Sequence, residues 1–172
     1  LIPQSFYYFN AYAKLNTDKK VAVSVPSGNF GNITAGILAK HMGLPIEKFI
    51  ASTNANKTVS EYLKTNHYLS SKSIETISNA MDVGNPSNMK RIMDIYNNVE
   101  NLKNDLSAFS FDDEKTKKCI KDIWSTYNYM LDPHSAVGLL GLDEFLKINS
   151  DFEGIFLATA HPAKFSDIIE PI

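Results

Sequence analysis

The chain has 172 residues and carries 17 Lys+Arg against 19 Asp+Glu, a net charge of −2 that excludes a basic nucleic-acid binder. With 44 % hydrophobic and 21 % charged residues it lies in the globular range, outside the disordered, collagenous and disulfide-rich ones, and at 19.2 kDa a folded surface of roughly 8,400 Å² leaves room for one buried core. Its single cysteine, Cys119, cannot close an internal disulfide and has no metal-ligand spacing around it, so a reducing, cytoplasmic setting is expected; no basic-then-apolar leader and no apolar run of about 18 residues points to a membrane.

Residues 1–15 place Phe6, Phe9 and Ala13, and beside them Tyr7, Asn10 and Lys14, on successive helical rows without a cap before them, which is expected of a piece of a longer protein. Val21 to Val25 is a β-branched run of strand length stopped by Pro26. Ile33 to Met42 reads as a helix ended by a left-handed cap at Gly43, and Phe49 to Thr53 as a second buried strand. Strand, turn, helix and strand make a βαβ unit, which requires a parallel sheet; the fold class is α/β. Thr58 to Thr65 is a short helix, and residues 70–88 have no assignable pattern beyond a loop at Gly84-Asn85-Pro86.

Three helices are expected next. One is capped by Ser87 or Asn88, with Ile92, Ile95, Tyr96, Val99 and Leu102 on one face. Another has Asp112, Asp113 and Glu114 in its first turn and a stripe of Thr116, Ile120, Ile123, Trp124, Tyr127 and Leu131. The third starts at Asp132-Pro133, an N-cap followed by proline, and runs to about Lys147. Gly154 to Thr159 is a last strand, ending in the loop Ala160-His161-Pro162-Ala163-Lys164. Repeats and linkers are absent, so residues 1–172 form one domain or part of one.

Ser27-Gly28-Asn29-Phe30-Gly31-Asn32 joins the carboxyl end of a strand to the amino end of a helix. Free N–H groups and the helix dipole favour an anion there, and two glycines let the backbone curl into a phosphate nest; a plain tight turn is the alternative. The loop lacks the Gly-Lys-Ser/Thr ending of a nucleotide P-loop, the third glycine of the dinucleotide fingerprint and the flanking glycines of a nucleophile elbow.

This loop, with Asn79-Ala80-Met81-Asp82-Val83-Gly84-Asn85-Pro86-Ser87-Asn88, Asp132-Pro133-His134-Ser135-Ala136-Val137-Gly138 and Thr159-Ala160-His161-Pro162-Ala163-Lys164-Phe165, closely resembles the threonine synthases, in the family's order and over almost the whole chain. The resemblance implies the tryptophan-synthase-β-like architecture (pyridoxal-phosphate fold type II), present here as an incomplete C-terminal portion, 1–172, of a catalytic domain. It implies a pyridoxal 5'-phosphate-dependent lyase that converts O-phosphohomoserine and water into threonine and phosphate. Ser27, Gly28, Asn29, Phe30, Gly31 and Asn32 would hold the cofactor's phosphate, and the Thr159 hydroxyl its pyridine nitrogen, a neutral partner that does not keep that nitrogen protonated. For Thr159 the plainer account is a strand-end hydroxyl bonded to its own backbone.

The family's cofactor lysine lies in a Phe-Lys-Asp motif upstream of the glycine loop, which nothing here matches; Ile120-Lys121-Asp122 falls on a solvated helix face with Lys117 and Lys118. The lysine is expected on an N-terminal part outside this chain, which alone would be inactive and, with apolar surface built to face that part, prone to associate. Asp82, His161 and Lys164 are candidate substrate-phosphate residues, against a turn-forming Asp, a loop-packing His and an exposed Lys. His134 would help fix its helix, and His41 and His67 have no partners at metal-ligand spacing, so no metal is expected. Another fold type II lyase or dehydratase, and a non-catalytic binder of a phosphate ligand, are the competing readings.

Overall fold

A computed structural model describes residues 1–172. The first helix, α1 (Ile2–Tyr12), is followed by β1 (Lys20–Pro26), α2 (Gly31–His41), β2 (Lys48–Thr53) and α3 (Thr58–Thr65). After a 3₁₀ turn at Asn79–Met81 come α4 (Met89–Tyr96), α5 (Val99–Asp105), β3 (Leu106–Ser110), α6 (Asp113–Tyr127), α7 (Pro133–Leu146), β4 (Phe152–Phe156), a second 3₁₀ turn at Pro162–Phe165 and α8 (Ser166–Ile169).

The strands form one 4-stranded parallel sheet in the order β3-β2-β1-β4, with Val23 opposite Phe49 and Ile155, and Phe49 opposite Leu106. The period of two in β1 explains its burial on both faces. Val21, Val23 and Val25 join Ile33, Ile37, Phe49 and Tyr8 in the main core beneath α2 and α1, whereas Ala22 points to the opposite face with Ile50, Leu142 and Phe145 of α7. Each large side chain fully buried in this way contributes about 2 kcal/mol. On the α7 face Ser52 donates to Ser24, 2.8 Å apart, and Ser24 donates to the Gly138 carbonyl at 2.6 Å, so the two buried hydroxyls are satisfied.

Several local features differ from what the pattern predicts. The helix expected across residues 88–102 is two helices: Asn97 adopts the left-handed conformation at φ 61°, and the Asn98 side chain caps α5 by accepting from the Asn101 N–H at 2.8 Å. Strand β3 is absent from the expectation altogether. The α6 stripe turns inward through Thr116, Cys119 and Ile120 and, partly buried, through Ile123, while Trp124 and Tyr127 are exposed and Leu131 is buried from the loop beyond the helix. Strand β4 starts and stops earlier than expected, leaving Thr159 in the loop after it. The caps at Gly43 (φ 103°) and Asp132 form as the sequence predicts.

Residues 66–88 are almost without regular structure, and they are held by side chains. Asp82 accepts hydrogen bonds from Asn54 (2.8 Å), from the Thr76 hydroxyl (2.7 Å) and N–H (3.0 Å), and from Asn56 (3.3 Å). The accessible surface of 9075 Å² exceeds the roughly 8,400 Å² expected at this mass, and Ile2 and Phe6 on α1 are among its exposed apolar residues. None of the helices is long and apolar enough to cross a membrane.

Candidate functional site

The chain runs from β1 through β2 to β3 on one side and returns with β4 on the other, so the strand order reverses beside β1 while all strands stay parallel. Ligands of open α/β sheets bind at the carboxyl ends of strands where such a reversal occurs. An open cavity of about 970 Å³ occupies that place, between the loop after β1, the loop after β4 and α1.

The loop after β1 is built as an anion cradle. The backbone N–H groups of Gly28, Asn29, Phe30, Gly31 and Asn32 have no acceptor within the chain, and the last two begin α2, whose dipole favours negative charge there. The curl comes from Phe30 rather than from a glycine: Phe30 takes φ 60° and ψ 17°, a left-handed backbone that costs about 1 kcal/mol in a non-glycine residue, offset by burial of its ring in the core. Gly28 is needed for a different reason. A Cβ on it would stand 2.6 Å from Met81 Cα and 2.8 Å from the Ala80 oxygen, so the 3₁₀ turn presses directly on the loop.

Five hydrogen bonds fix the cradle. The Tyr8 hydroxyl donates to the Asn32 carbonyl at 2.7 Å, and Asn32 itself donates to the Pro26 carbonyl at 2.9 Å. Asn29 Oδ1 accepts from the Ser87 N–H (2.6 Å) and hydroxyl (2.9 Å), and the Asn88 amide donates to the Asn29 carbonyl at 2.8 Å. Ser87 and Asn88, expected to cap a helix, therefore spend their side chains on the glycine loop, and α4 begins without a side-chain cap.

Gly28, Asn29, Phe30, Gly31, Asn32, Thr159 and Lys164 all line the cavity. Ser27 lies behind it, with its hydroxyl bonded to the Val25 carbonyl at 2.9 Å and its N–H to Ser52. Asp82 and His161 do not line it: Asp82 is occupied by the network that holds residues 66–88, and His161 Nδ1 accepts from the Ala163 N–H at 3.2 Å, capping the second 3₁₀ turn. The Thr159 hydroxyl and the Lys164 ammonium make no hydrogen bond or ion pair within the chain, and no carboxylate lines the cavity.

Residues beyond those expected from the sequence also contribute. Gln4, Tyr7 and Asn10 present one side of α1 to the cavity, and burial pushes the Tyr7 hydroxyl above its ordinary pKa. The row Tyr7, Asn10 was visible in the sequence as helical spacing, without a sign of what it faced. His134 is the other addition. Its Nδ1 lies 3.1 Å from Asp132 Oδ1, its ring packs against Phe165 with centroids 5.1 Å apart, and its Nε2 is the one buried side-chain nitrogen or oxygen without a partner. Burial pushes the Asp132 carboxyl up, but hydrogen bonds from His134 and Ser135 outweigh this and hold it below the usual carboxylate range. Groups of side chains able to hold a metal ion are absent.

No protein-family model matches the chain. Threonine synthase of Haemophilus influenzae is 44 % identical over 174 aligned residues that cover 100 % of this chain and 40 % of that protein. The crystal structure of PLP-bound threonine synthase from Brucella melitensis superposes with a TM-score of 0.93 at 33 % identity, covering 99 % of this chain and 42 % of that one. The Escherichia coli threonine synthase structure gives 0.89 at 39 % identity, covering 98 % and 39 %. The chain thus has the α/β fold of pyridoxal-phosphate fold type II, and it is a homologue of the threonine synthases from end to end, spanning about two fifths of their length.

Proposed function

We propose that residues 1–172 are the C-terminal part of the catalytic domain of a threonine synthase, a lyase that converts O-phosphohomoserine and water into threonine and phosphate with pyridoxal phosphate. The reading is carried by the cradle of unpartnered N–H groups from Gly28 to Asn32 in a cavity free of carboxylates. Such a cradle fits a small phosphate monoester without lysine or metal. When bound, pyridoxal phosphate supplies the electron sink that lets protons leave the substrate carbons.

The residues of this chain divide the work. Gly28 to Asn32 bind the cofactor phosphate through N–H donors that Tyr8, Ser87 and Asn88 hold in place, so no reorganisation is required when the anion arrives. Thr159 offers an uncommitted hydroxyl to the pyridine nitrogen from the loop after β4. Being neutral, it leaves that nitrogen unprotonated where an aspartate would not. Lys164, the one lysine on the cavity wall, is placed to meet the phosphate of the substrate, and Tyr7 and Asn10 wall off the α1 side. Asp82 and His161 act at one remove, by holding the segments that carry Gly84 to Asn88 and Lys164.

The lysine that attaches the cofactor belongs, in this proposal, to a part of the protein outside residues 1–172. Lys121, the sequence look-alike, is exposed on α6 and does not line the cavity. The chain alone is then inactive, and the cytosolic setting indicated by the lone, buried Cys119 belongs to the same proposal.

The test is a full-length protein containing this chain. It is expected to bind pyridoxal phosphate and to release phosphate and threonine from O-phosphohomoserine. A folded full-length protein that does neither overturns the proposal, and a keto acid with ammonia as products would make it a dehydratase instead.

A further inference from the structure

Asp132 and His134 form a buried carboxylate–imidazole pair at the start of α7. The helix cap does not need the imidazole. Asp132 Oδ1 already accepts from the N–H groups of His134 (2.9 Å) and Ser135 (3.3 Å), and Oδ2 accepts from the Ser135 hydroxyl. Ionised, Asp132 is an acceptor only, so His134 Nδ1 carries the proton and the tautomer is fixed.

Nε2 is then committed to nothing in the chain, although it is buried. Buried polar atoms almost always have partners. His134 lines the cavity together with Thr159, Lys164 and Phe165, and the tilted contact with Phe165 holds its ring. An oriented imidazole with one satisfied and one unsatisfied nitrogen on a ligand-sized cavity is the arrangement of a group that waits for its partner from the ligand.

Resting on the function proposed for the cavity, we infer that His134 is a further cofactor-contacting residue: its Nε2, an acceptor in the tautomer that Asp132 sets, accepts a hydrogen bond from the ring hydroxyl of pyridoxal phosphate on the wall shared with Thr159, and Asp132 is the positioning residue. The sequence gives His134 only the role of fixing its helix, because nothing in the spacing Asp132-Pro133-His134 distinguishes a capping turn from an oriented imidazole.

The test uses the full-length holoenzyme with His134→Phe, which keeps the ring packing on Phe165, and His134→Gln, which restores a polar group near Nε2. The readouts are the dissociation constant for pyridoxal phosphate and the position of its visible absorption band, with thermal unfolding of the cofactor-free forms as the folding control. His134→Phe is expected to bind the cofactor about tenfold more weakly with a displaced band, and His134→Gln to recover most of the affinity. Wild-type affinity and band position in His134→Phe, or an equal loss in both variants, overturns the inference while leaving the function of the cavity intact. Failure of the wild-type protein to bind pyridoxal phosphate overturns both.

Discussion

The Tyr8 hydroxyl donates a 2.7 Å hydrogen bond to the carbonyl oxygen of Asn32, joining a buried side chain of α1 to the first turn of α2. The same ring packs edge-on against Phe49 of β2, with centroids 6.1 Å apart, so α1, α2 and the sheet meet at one tyrosine. Tyr8→Phe keeps the packing and removes the bond. It is expected to destabilise the protein by about 1 kcal/mol and to weaken pyridoxal phosphate binding, read from urea unfolding and cofactor titration. An unchanged unfolding midpoint would show that the bond contributes nothing.

The two glycines of the cradle are predicted to differ. Gly28→Ala forces a Cβ against the backbone of Met81 and Ala80, which cannot move aside as a flexible side chain would, and a loss of about 2 kcal/mol with displaced N–H donors follows. Gly31→Ala meets nothing closer than 3.5 Å and lies in the first turn of α2, where alanine is well tolerated. Cofactor titration of both variants should show weak binding in the first and near-normal binding in the second; equal affinities would contradict the assignment of close approach to Gly28.

Asp82→Asn replaces an acceptor-only group by one that must turn an N–H₂ or a single oxygen toward the donors of Asn54, Asn56 and Thr76. At least one buried donor loses its partner, which costs about 1–3 kcal/mol. The damage should be local first. Limited proteolysis and hydrogen exchange are expected to increase across residues 66–88 before the sheet is affected, and uniform protection in that segment would count against the network's role.

Asp132 gives the protein an acid-sensitive contact. Its folded pKa is below its ordinary value, so its contribution to stability is complete above about pH 4 and is lost as the pH falls through the depressed folded value. Asp132→Asn removes charge-assisted hydrogen bonds of about 1.5 kcal/mol while keeping a residue able to cap α7. Unfolding midpoints of the two proteins should differ at pH 7 and converge as the pH falls below the ordinary carboxylate range; a constant gap would exclude this carboxylate as the source.

Cys119 is expected to be chemically quiet. Burial pushes its thiol up to about 12, with Asp143 and Asp122 adding to the shift, so almost no thiolate exists at neutral pH. Its reaction with a thiol reagent should follow the opening rate of the α6–α7 interface, and a rate equal to that of a free thiol would overturn this.

The sequence carried the parts of the fold that depend on short-range pattern. Val21 to Val25, the Gly43 cap and the Asp132-Pro133 start are each written in neighbouring residues, and each appears in the structure. The parts that escaped depend on distant partners. Leu106 to Ser110 becomes a strand only because β2 lies alongside it, and helical spacing through Ile92 to Leu102 concealed the left-handed Asn97. In the cavity, Gly28 to Asn32 and Thr159 were legible as motifs, whereas the neighbours that clamp the loop, Tyr8 and Ser87, lie in other parts of the chain. The committed oxygens of Asp82 belong to the same class: a side chain's list of partners is a property of the fold.

Phe30 joins two things that are separate in most binding loops. Its strained backbone aims the N–H donors of the cradle, and its ring is part of the main core, so the loop cannot lose its shape without the core loosening, nor the core loosen without the donors dispersing. Occupancy and folding therefore draw on a single equilibrium. A phosphate ligand that binds only the native loop, present at about 100 times its dissociation constant, adds about 2.7 kcal/mol to the stability of the whole sheet, and the melting temperature becomes a measure of how full the site is.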